Sequence, residues 1–256
     1  MQPTDGVGLG STAGAPGNEV TVADLTPSRP QVVLLPGLLN DAELWRAQLI
    51  GLADLADCQV GDLTQAHSTH EAALLVLRAA PPQFALAGFS LGGYVAQEIL
   101  RVAPQRVQRL ALLDTSYLPD PPARVQQRRA QHARVRQGTF HGFGDALMHA
   151  YTDPSRHGDT ALMERIRAMT QRLGAQVFLR QSAFERRDGS QVLRAFDKPA
   201  LVLVGEHDRI TPPALHEQMA LLLPQATLVR VAQAGHLTPL EQPQAVTDAL
   251  RAWLLR

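Results

Sequence analysis

The hydrophobic pattern from residue 31 onward alternates between two kinds of segment. Short, continuous aliphatic runs alternate with segments whose apolar residues recur at helical spacing. A continuous run bounded by turn residues is typical of a strand buried on both faces of a parallel sheet. The runs predict strands at 32–35, 58–63, 84–87, 107–113, 200–204 and 227–231. The helical spacing predicts helices at 41–52, 71–80, 212–223 and 244–255, with one more directly after the third strand.

This alternation predicts an α/β protein with a mostly parallel, doubly wound sheet. Strands that alternate with helices form parallel sheets with helices on both faces and right-handed crossovers. We expect six core parallel strands. Functional side chains in such sheets lie beyond the carboxyl ends of the strands, so we expect the functional residues of this chain at those ends.

Two segments depart from the alternation. Residues 118–198 contain helical patterns at 123–136, 144–151, 161–173 and 177–184 with almost no strand signal, which predicts a helical cap inserted between two parts of a core, 29–117 and 199–256. Residues 1–28 are rich in Gly, Ser, Thr and Pro and lack periodic apolar positions. This composition predicts a disordered N-terminal tail without the apolar core of a secretory signal.

Composition narrows the classes of partner. The 256 residues include 24 basic and 24 acidic side chains, so no field of one sign favours nucleic acid or an anionic membrane. No segment reaches the ~18 apolar residues of a membrane span. The single cysteine, Cys58, lies in an apolar stretch, which indicates an inert core thiol. We expect a soluble, cytoplasmic protein, and the sequence predicts no oligomeric state.

Ser90 is the candidate nucleophile. It lies between the third strand and the following helix, with Gly88 and Gly92 two residues away on either side. Because glycine has no Cβ, this spacing permits a sharp turn that exposes the hydroxyl at a helix N-terminus. The free N–H groups there favour a developing negative charge. A Gly-Ser-Gly turn without chemistry is the alternative interpretation.

A serine nucleophile needs a base, and histidine has a suitable pKa near neutrality. Of the nine histidines, His236 follows the last strand in a short loop, beside Gly235. His207, at another strand end, is its main rival. The other seven histidines fall on predicted helices, their caps or the cap segment.

The histidine in turn needs a carboxylate that fixes its tautomer and stabilises its charged form. Asp208 ends the preceding strand and gives the chain order Ser, Asp, His. Its rivals are Glu206 and Asp114; the structural role expected for Asp114 is to cap the start of the cap segment. Glu241 is expected to cap the last helix.

Two backbone donors should stabilise the oxyanion of the transition state. The N–H of Leu91 follows the nucleophile directly, and the N–H of Leu38 lies in the loop after the first strand. That loop could otherwise be only a strand-to-helix turn.

One predicted cap helix, 123–136, is strongly basic. It carries five arginines and one histidine: Arg124, Arg128, Arg129, His132, Arg134 and Arg136. A solvated basic face is the ordinary interpretation of such a helix, and a patch that attracts an acidic substrate or carrier is the alternative.

These motifs resemble those of the α/β-hydrolase-fold serine hydrolases, over about residues 30–256. The matching segments are GFSLGG at 88–93, GEHD at 205–208, Gly235-His236, and PGLL at 36–39 with Trp45 after it. Most relatives carry His where this chain has Pro36 and Phe89. The resemblance implies a helical cap, a covalent acyl-enzyme, and neither a metal nor an organic cofactor.

The resemblance also narrows the reaction. A serine at the turn disfavours dehalogenation and epoxide hydrolysis, for which relatives use an aspartate nucleophile. We therefore expect a hydrolase of a small-molecule carboxylic ester, lactone or thioester that uses Ser90, His236 and Asp208, with Leu38 and Leu91 as oxyanion donors. A carbon–carbon bond hydrolase on the same residues, and a ligand sensor that retains them, stay open.

Overall fold

Six strands form one parallel sheet in the computed structural model, which describes residues 29–138 and 140–256. The strands are β1 Gln31–Leu35, β2 Asp57–Val60, β3 Phe84–Phe89, β4 Val107–Leu113, β5 Ala200–Gly205 and β6 Ala226–Val231. Their order across the sheet is β2-β1-β3-β4-β5-β6, with every neighbouring pair parallel. The predicted α/β class and the six parallel strands are confirmed. The predicted tail, 1–28, lies outside the described residues.

The sheet lies between two hydrophobic clusters. In β1, Val32 and Leu34 belong to one cluster, and Val33 and Leu35 belong to the other. Successive side chains of a strand point to opposite faces, so a strand covered on both faces must be apolar at every position. This requirement explains the continuous aliphatic runs, and β3 and β5 are buried at all positions.

Ten α-helices flank the sheet within the described residues. They are α1 Arg46–Gly51, α2 Thr69–Ala79, α3 Leu91–Val102, α4 Pro122–Gln137, α5 Asp145–Tyr151, α6 Thr160–Ser182, α7 Ser190–Arg194, α8 Pro213–Leu222, α9 Thr238–Glu241 and α10 Pro243–Leu254. None of them is both long enough and apolar enough to cross a membrane.

Two helix predictions differ from the structure. The helix predicted at 41–52 begins only at Arg46, because residues 42–45 form turns in which the Asp41 carboxylate accepts a hydrogen bond from the Glu43 N–H at 3.0 Å. Such a local Asx turn competes with helix formation. The helices predicted at 161–173 and 177–184 are joined in α6, which kinks at Gly174, where φ is 74°.

The described residues between β4 and β5 contain α4 to α7 and no strand. The first part of α6 buries Leu162, Ile166 and Met169 in the cluster that also contains Leu34. The first part of α6 therefore packs on the face of the sheet that carries Leu34, whereas Leu193 of α7 belongs to the cluster on the opposite face. The exact division into a core and a cap at residues 118 and 198 stays a prediction.

One buried histidine supports the end of β4 without belonging to the candidate site. Nε2 of His216, in α8, accepts a hydrogen bond from the Thr115 N–H at 3.0 Å, and Nδ1 lies 3.3 Å from the Pro212 carbonyl oxygen. The side chain is fully buried. Burial lowers the pKa of His216 from 6.5 to about 4, so the folded protein holds this imidazole neutral.

We therefore predict an acid-sensitive contribution of His216 to stability. In the unfolded chain His216 binds a proton as pH falls through about 6.5, whereas in the folded chain it does so only near pH 4. The contribution to stability is therefore complete above the unfolded pKa and is lost as pH falls. Between pH 7 and pH 4, wild type should lose about 3 kcal/mol more unfolding free energy than His216→Gln, measured by urea denaturation. The exposed His67→Gln should lose as much as wild type. An equal loss in His216→Gln and wild type would contradict the prediction.

Candidate active site

Ser90 occupies a strained turn between β3 and α3. Its φ is 50°, a left-handed value that non-glycine residues rarely adopt and that clusters at functional sites. A Cβ at Gly88 would lie 2.5 Å from the carbonyl oxygen of Gly92, and a Cβ at Gly92 would lie 2.4 Å from that of Leu35. Only glycine fits at either position, as the sequence predicts.

His236 lies within hydrogen-bond distance of Ser90. Its Nε2 is 2.9 Å from the Ser90 Oγ, and its side chain is buried. The backbone N–H of His236 donates to the carbonyl oxygen of Tyr151, at the end of α5, at 2.8 Å. The rings of Phe89 and Tyr151 pack against the imidazole, with centroid distances of 5.4 and 5.1 Å. The structure thus brings together the predicted serine and histidine.

Asp208 completes the arrangement. Its Oδ2 lies 2.8 Å from Nδ1 of His236, and Oδ1 accepts hydrogen bonds from the N–H groups of Ile210 and Thr211. The Thr211 hydroxyl also donates to Oδ2, at 2.7 Å. Burial opposes ionisation of Asp208, but the neighbouring His236 and these hydrogen bonds outweigh it and hold the pKa of the carboxyl below its ordinary value. A carboxylate is therefore favoured beside the imidazole.

The rival residues have other contacts. Glu206 is exposed, and His207 is paired with Asp153 rather than with Ser90. That partner raises the pKa of His207.

Asp114 is buried directly behind the site. Its carboxylate accepts hydrogen bonds from the Gly205 N–H, at 2.9 Å, and from the Thr238 hydroxyl. The expected role of Asp114 as a cap for the segment that follows β4 is therefore wrong. Burial, and then the charge of Asp208, raise its pKa well above the ordinary value, so the two buried carboxyls differ in their tendency to ionise.

Glu241 holds the loop that carries His236. Its fully buried carboxylate accepts hydrogen bonds from the N–H groups of Gly235 at 3.1 Å, Leu237 at 3.0 Å and Asp153 at 2.6 Å. The expected role as a cap of the last helix is wrong, since α10 begins at Pro243. Nothing in the segment LTPLE at 237–241 indicates that its acidic residue is buried.

Leu38 and Leu91 both line the cavity that contains Ser90. Within the described part of the chain, no group accepts a hydrogen bond from either backbone N–H. The loop that carries Leu38 is held by Gln181 of α6, whose Oε1 accepts a hydrogen bond from the Leu39 N–H at 2.8 Å and whose Nε2 donates to the Leu63 carbonyl at 3.3 Å. No pattern in the sequence indicates this contact of Gln181.

The cavity above Ser90 is small, about 150 Å³. Its walls include Arg124 and Arg128 from the basic helix α4, Arg186 and Asp120. A wider groove of about 770 Å³ adjoins the cavity and shares four lining residues with it: Asp120, Arg128, Ser182 and Arg186. Part of the basic face therefore borders the candidate active site.

The contacts at the site are suited to proton transfer. Separations of 2.8 and 2.9 Å place the carboxylate, imidazole and hydroxyl in one hydrogen-bonded chain, the arrangement that lets an imidazole take a proton from a serine that attacks a carbonyl. Among residues 29–138 and 140–256, no three His, Cys, Asp or Glu side chains are grouped as metal ligands.

Comparisons with known proteins agree with this fold. The alpha/beta hydrolase fold family matches residues 30–243. A solved thermophilic esterase from Thermogutta terrifontis, with malate bound, is 32% identical, with a TM-score of 0.80, and the match covers 89% of this chain and 90% of that one. The chain therefore belongs to the alpha/beta hydrolase fold family.

Two curated relatives match at lower identity. The polyketide synthase ThaQ of Burkholderia thailandensis is 29% identical over 66% of this chain, but the match spans only 8% of the synthase. A pimeloyl-[acyl-carrier protein] methyl ester esterase of Stenotrophomonas maltophilia is 26% identical over 89% of this chain and 94% of its own length.

Gln181 provides a direct test of how the loop after β1 is held. Gln181→Met leaves the buried Leu39 N–H without an acceptor, so the unfolding free energy should fall by about 2 kcal/mol in urea denaturation. Gln176→Met, at an exposed position of the same helix, should change it by less than about 0.5 kcal/mol. Equal stabilities of the two variants would contradict this account of the loop.

Proposed function

We propose that this protein is a serine hydrolase that cleaves small carboxylic esters. In this proposal Ser90 is the nucleophile, His236 is the general base and then the general acid, and Asp208 orients His236. The backbone N–H groups of Leu38 and Leu91 stabilise the oxyanion. The continuous contact from Asp208 through His236 to Ser90 is the observation that carries the proposal.

The reaction proceeds in two halves. Nε2 of His236 removes the hydroxyl proton as the Ser90 Oγ attacks the ester carbonyl, which forms a tetrahedral intermediate with a negatively charged oxygen. When this intermediate collapses, the alcohol leaves with the proton from His236, and the acyl group stays on Ser90. His236 then removes a proton from a water molecule as that water attacks the acyl carbonyl. Collapse of this second tetrahedral intermediate breaks the bond between the acyl carbon and the Ser90 Oγ, His236 returns the proton to Oγ, and the acid is released.

Each proposed role has support in the local structure. The lowered pKa of Asp208 favours the carboxylate, which stabilises the imidazolium that forms during attack. Leu38 and Leu91 line the cavity, and neither N–H has an acceptor among the described residues, so both donors are free to bind a substrate oxygen.

The relatives support ester cleavage in particular. The Thermogutta terrifontis protein is described as an esterase, and the Stenotrophomonas maltophilia relative as a methyl ester esterase. The small cavity above Ser90 favours an ester with at least one short group. We also propose that the protein acts in the cytoplasm, as the single half-buried cysteine is compatible with a reducing compartment.

Ser90→Ala tests this mechanism. The variant should lose at least about 1,000-fold in kcat/KM for 4-nitrophenyl acetate, because Ser90 supplies the hydroxyl that lies 2.9 Å from Nε2 of His236. Its melting temperature should stay within a few degrees, since alanine fills the same space. Ser190→Ala is the matched control and should retain activity, since the Ser190 hydroxyl donates a hydrogen bond to the nearby Asp188 carboxylate and does not line the cavity. Turnover by Ser90→Ala at the wild-type rate would remove Ser90 from the mechanism.

A further inference from the structure

Three arginines surround the space in front of Ser90. Arg124 and Arg128 project from successive turns of α4, and Arg186 lies just after α6; all three line the cavity of about 150 Å³ together with Ser90. The other arginines of α4, at 129, 134 and 136, do not line it. The basic residues are thus divided between an outer surface and the candidate active site.

The positive charges in this cavity exceed the negative ones. Among the described residues that line it, Asp120 is the only one with a carboxylate, and both Arg128 and Arg186 contact it. Nε of Arg186 lies 3.6 Å from the Asp120 Oδ2, too far for a hydrogen bond. Arg124 forms no ion pair with any described residue; its Nη2 donates to the Ile210 carbonyl at 2.8 Å. Three guanidinium groups therefore face one carboxylate.

The side chain of Arg186 is largely buried. Its side chain is only 9% exposed, and its guanidinium lies over the Tyr94 ring at 5.7 Å. Burial, and then the neighbouring charge of Arg128, lower the pKa of Arg186 to about 10. Burying an incompletely paired charge costs free energy. A bound anion would offset this cost, because it would give the guanidinium groups the partners that the protein itself supplies only in part.

We propose that the cavity binds a carboxylate of the substrate, so that the preferred substrates are small esters that carry a free carboxylate, such as half-esters of short dicarboxylic acids. Guanidinium groups recognise carboxylates through paired N–H donors, and the size of the cavity limits the chain between carboxylate and ester. This inference rests on the proposed ester hydrolysis, since it assigns the substrate class of the same site.

A purely structural role for these arginines makes a different prediction. Arg124 joins α4 to the Ile210 carbonyl, beside the Asp208 turn, and could act only by holding the cap segment in place. In that case its replacement would affect charged and neutral esters equally. The ratio of kcat/KM for a charged ester to kcat/KM for a neutral ester of the same size therefore distinguishes recognition of charge from a structural role.

The test compares monomethyl glutarate with methyl glutaramate, which replaces the carboxylate by an amide of nearly the same shape. Wild type should prefer the carboxylate ester by at least about tenfold in kcat/KM, and 0.5 M NaCl should reduce the preference. In Arg124→Gln the preference should fall about tenfold, through KM, because one charge-assisted hydrogen bond is lost. Arg124→Lys should restore part of it. Arg134→Gln, which removes the same charge from the outer face of α4, should keep the wild-type preference.

A second measurement is independent of turnover. Calorimetric titration of Ser90→Ala with glutarate should show binding that glutaramide does not show and that Arg124→Gln weakens in the same background. Equal kcat/KM for the two esters together with no glutarate binding would overturn the inference, while hydrolysis of 4-nitrophenyl acetate would leave the proposed function standing. Glutarate binding without hydrolysis of any ester would support the anion site and overturn the proposed hydrolysis.

Discussion

The hydrogen bond between Nε2 of His236 and the hydroxyl of Ser90 joins two turns that lie 146 residues apart in the chain. Both turns are tightly constrained. A Cβ at Gly92 would meet the backbone of β1, and a Cβ at Gly205 would lie 1.9 Å from the carbonyl oxygen of Gly235. The parallel sheet places both turns at the same edge, beyond the carboxyl ends of β3 and β6, and the glycines permit the close backbone approaches that bring the two side chains into contact.

The segment between β4 and β5 contacts the two loops that carry His236 and Leu38. The Tyr151 carbonyl accepts the N–H of His236, and Gln181 accepts the N–H of Leu39, in the loop of the candidate oxyanion donor. Glu241 binds the N–H groups on both sides of His236 and that of Asp153. The segment between β4 and β5 therefore contacts the loops that carry the candidate catalytic groups, and it contains the three arginines that line the cavity.

Local signals in the sequence were sufficient for the strands and for the three candidate catalytic side chains. A strand buried on both faces is apolar throughout, and a tight turn needs its glycines, so both can be recognised from a few adjacent residues. The roles of Glu241 and Gln181 cannot be recognised from adjacent residues, since they include partners up to 142 residues away. Periodicity also did not predict that α1 begins only at Arg46, because it does not reveal that the turn at Asp41 competes with the helix.

The central claim is that Asp208 and His236 make one serine, Ser90, unusually nucleophilic. A fluorophosphonate forms a stable covalent bond only with a serine activated in this way, so labelling followed by peptide mass spectrometry tests the claim most directly. The account predicts one adduct, on Ser90, which disappears when His236 is replaced by alanine. An unlabelled Ser90 in the folded protein, or an adduct that persists without His236, would contradict it.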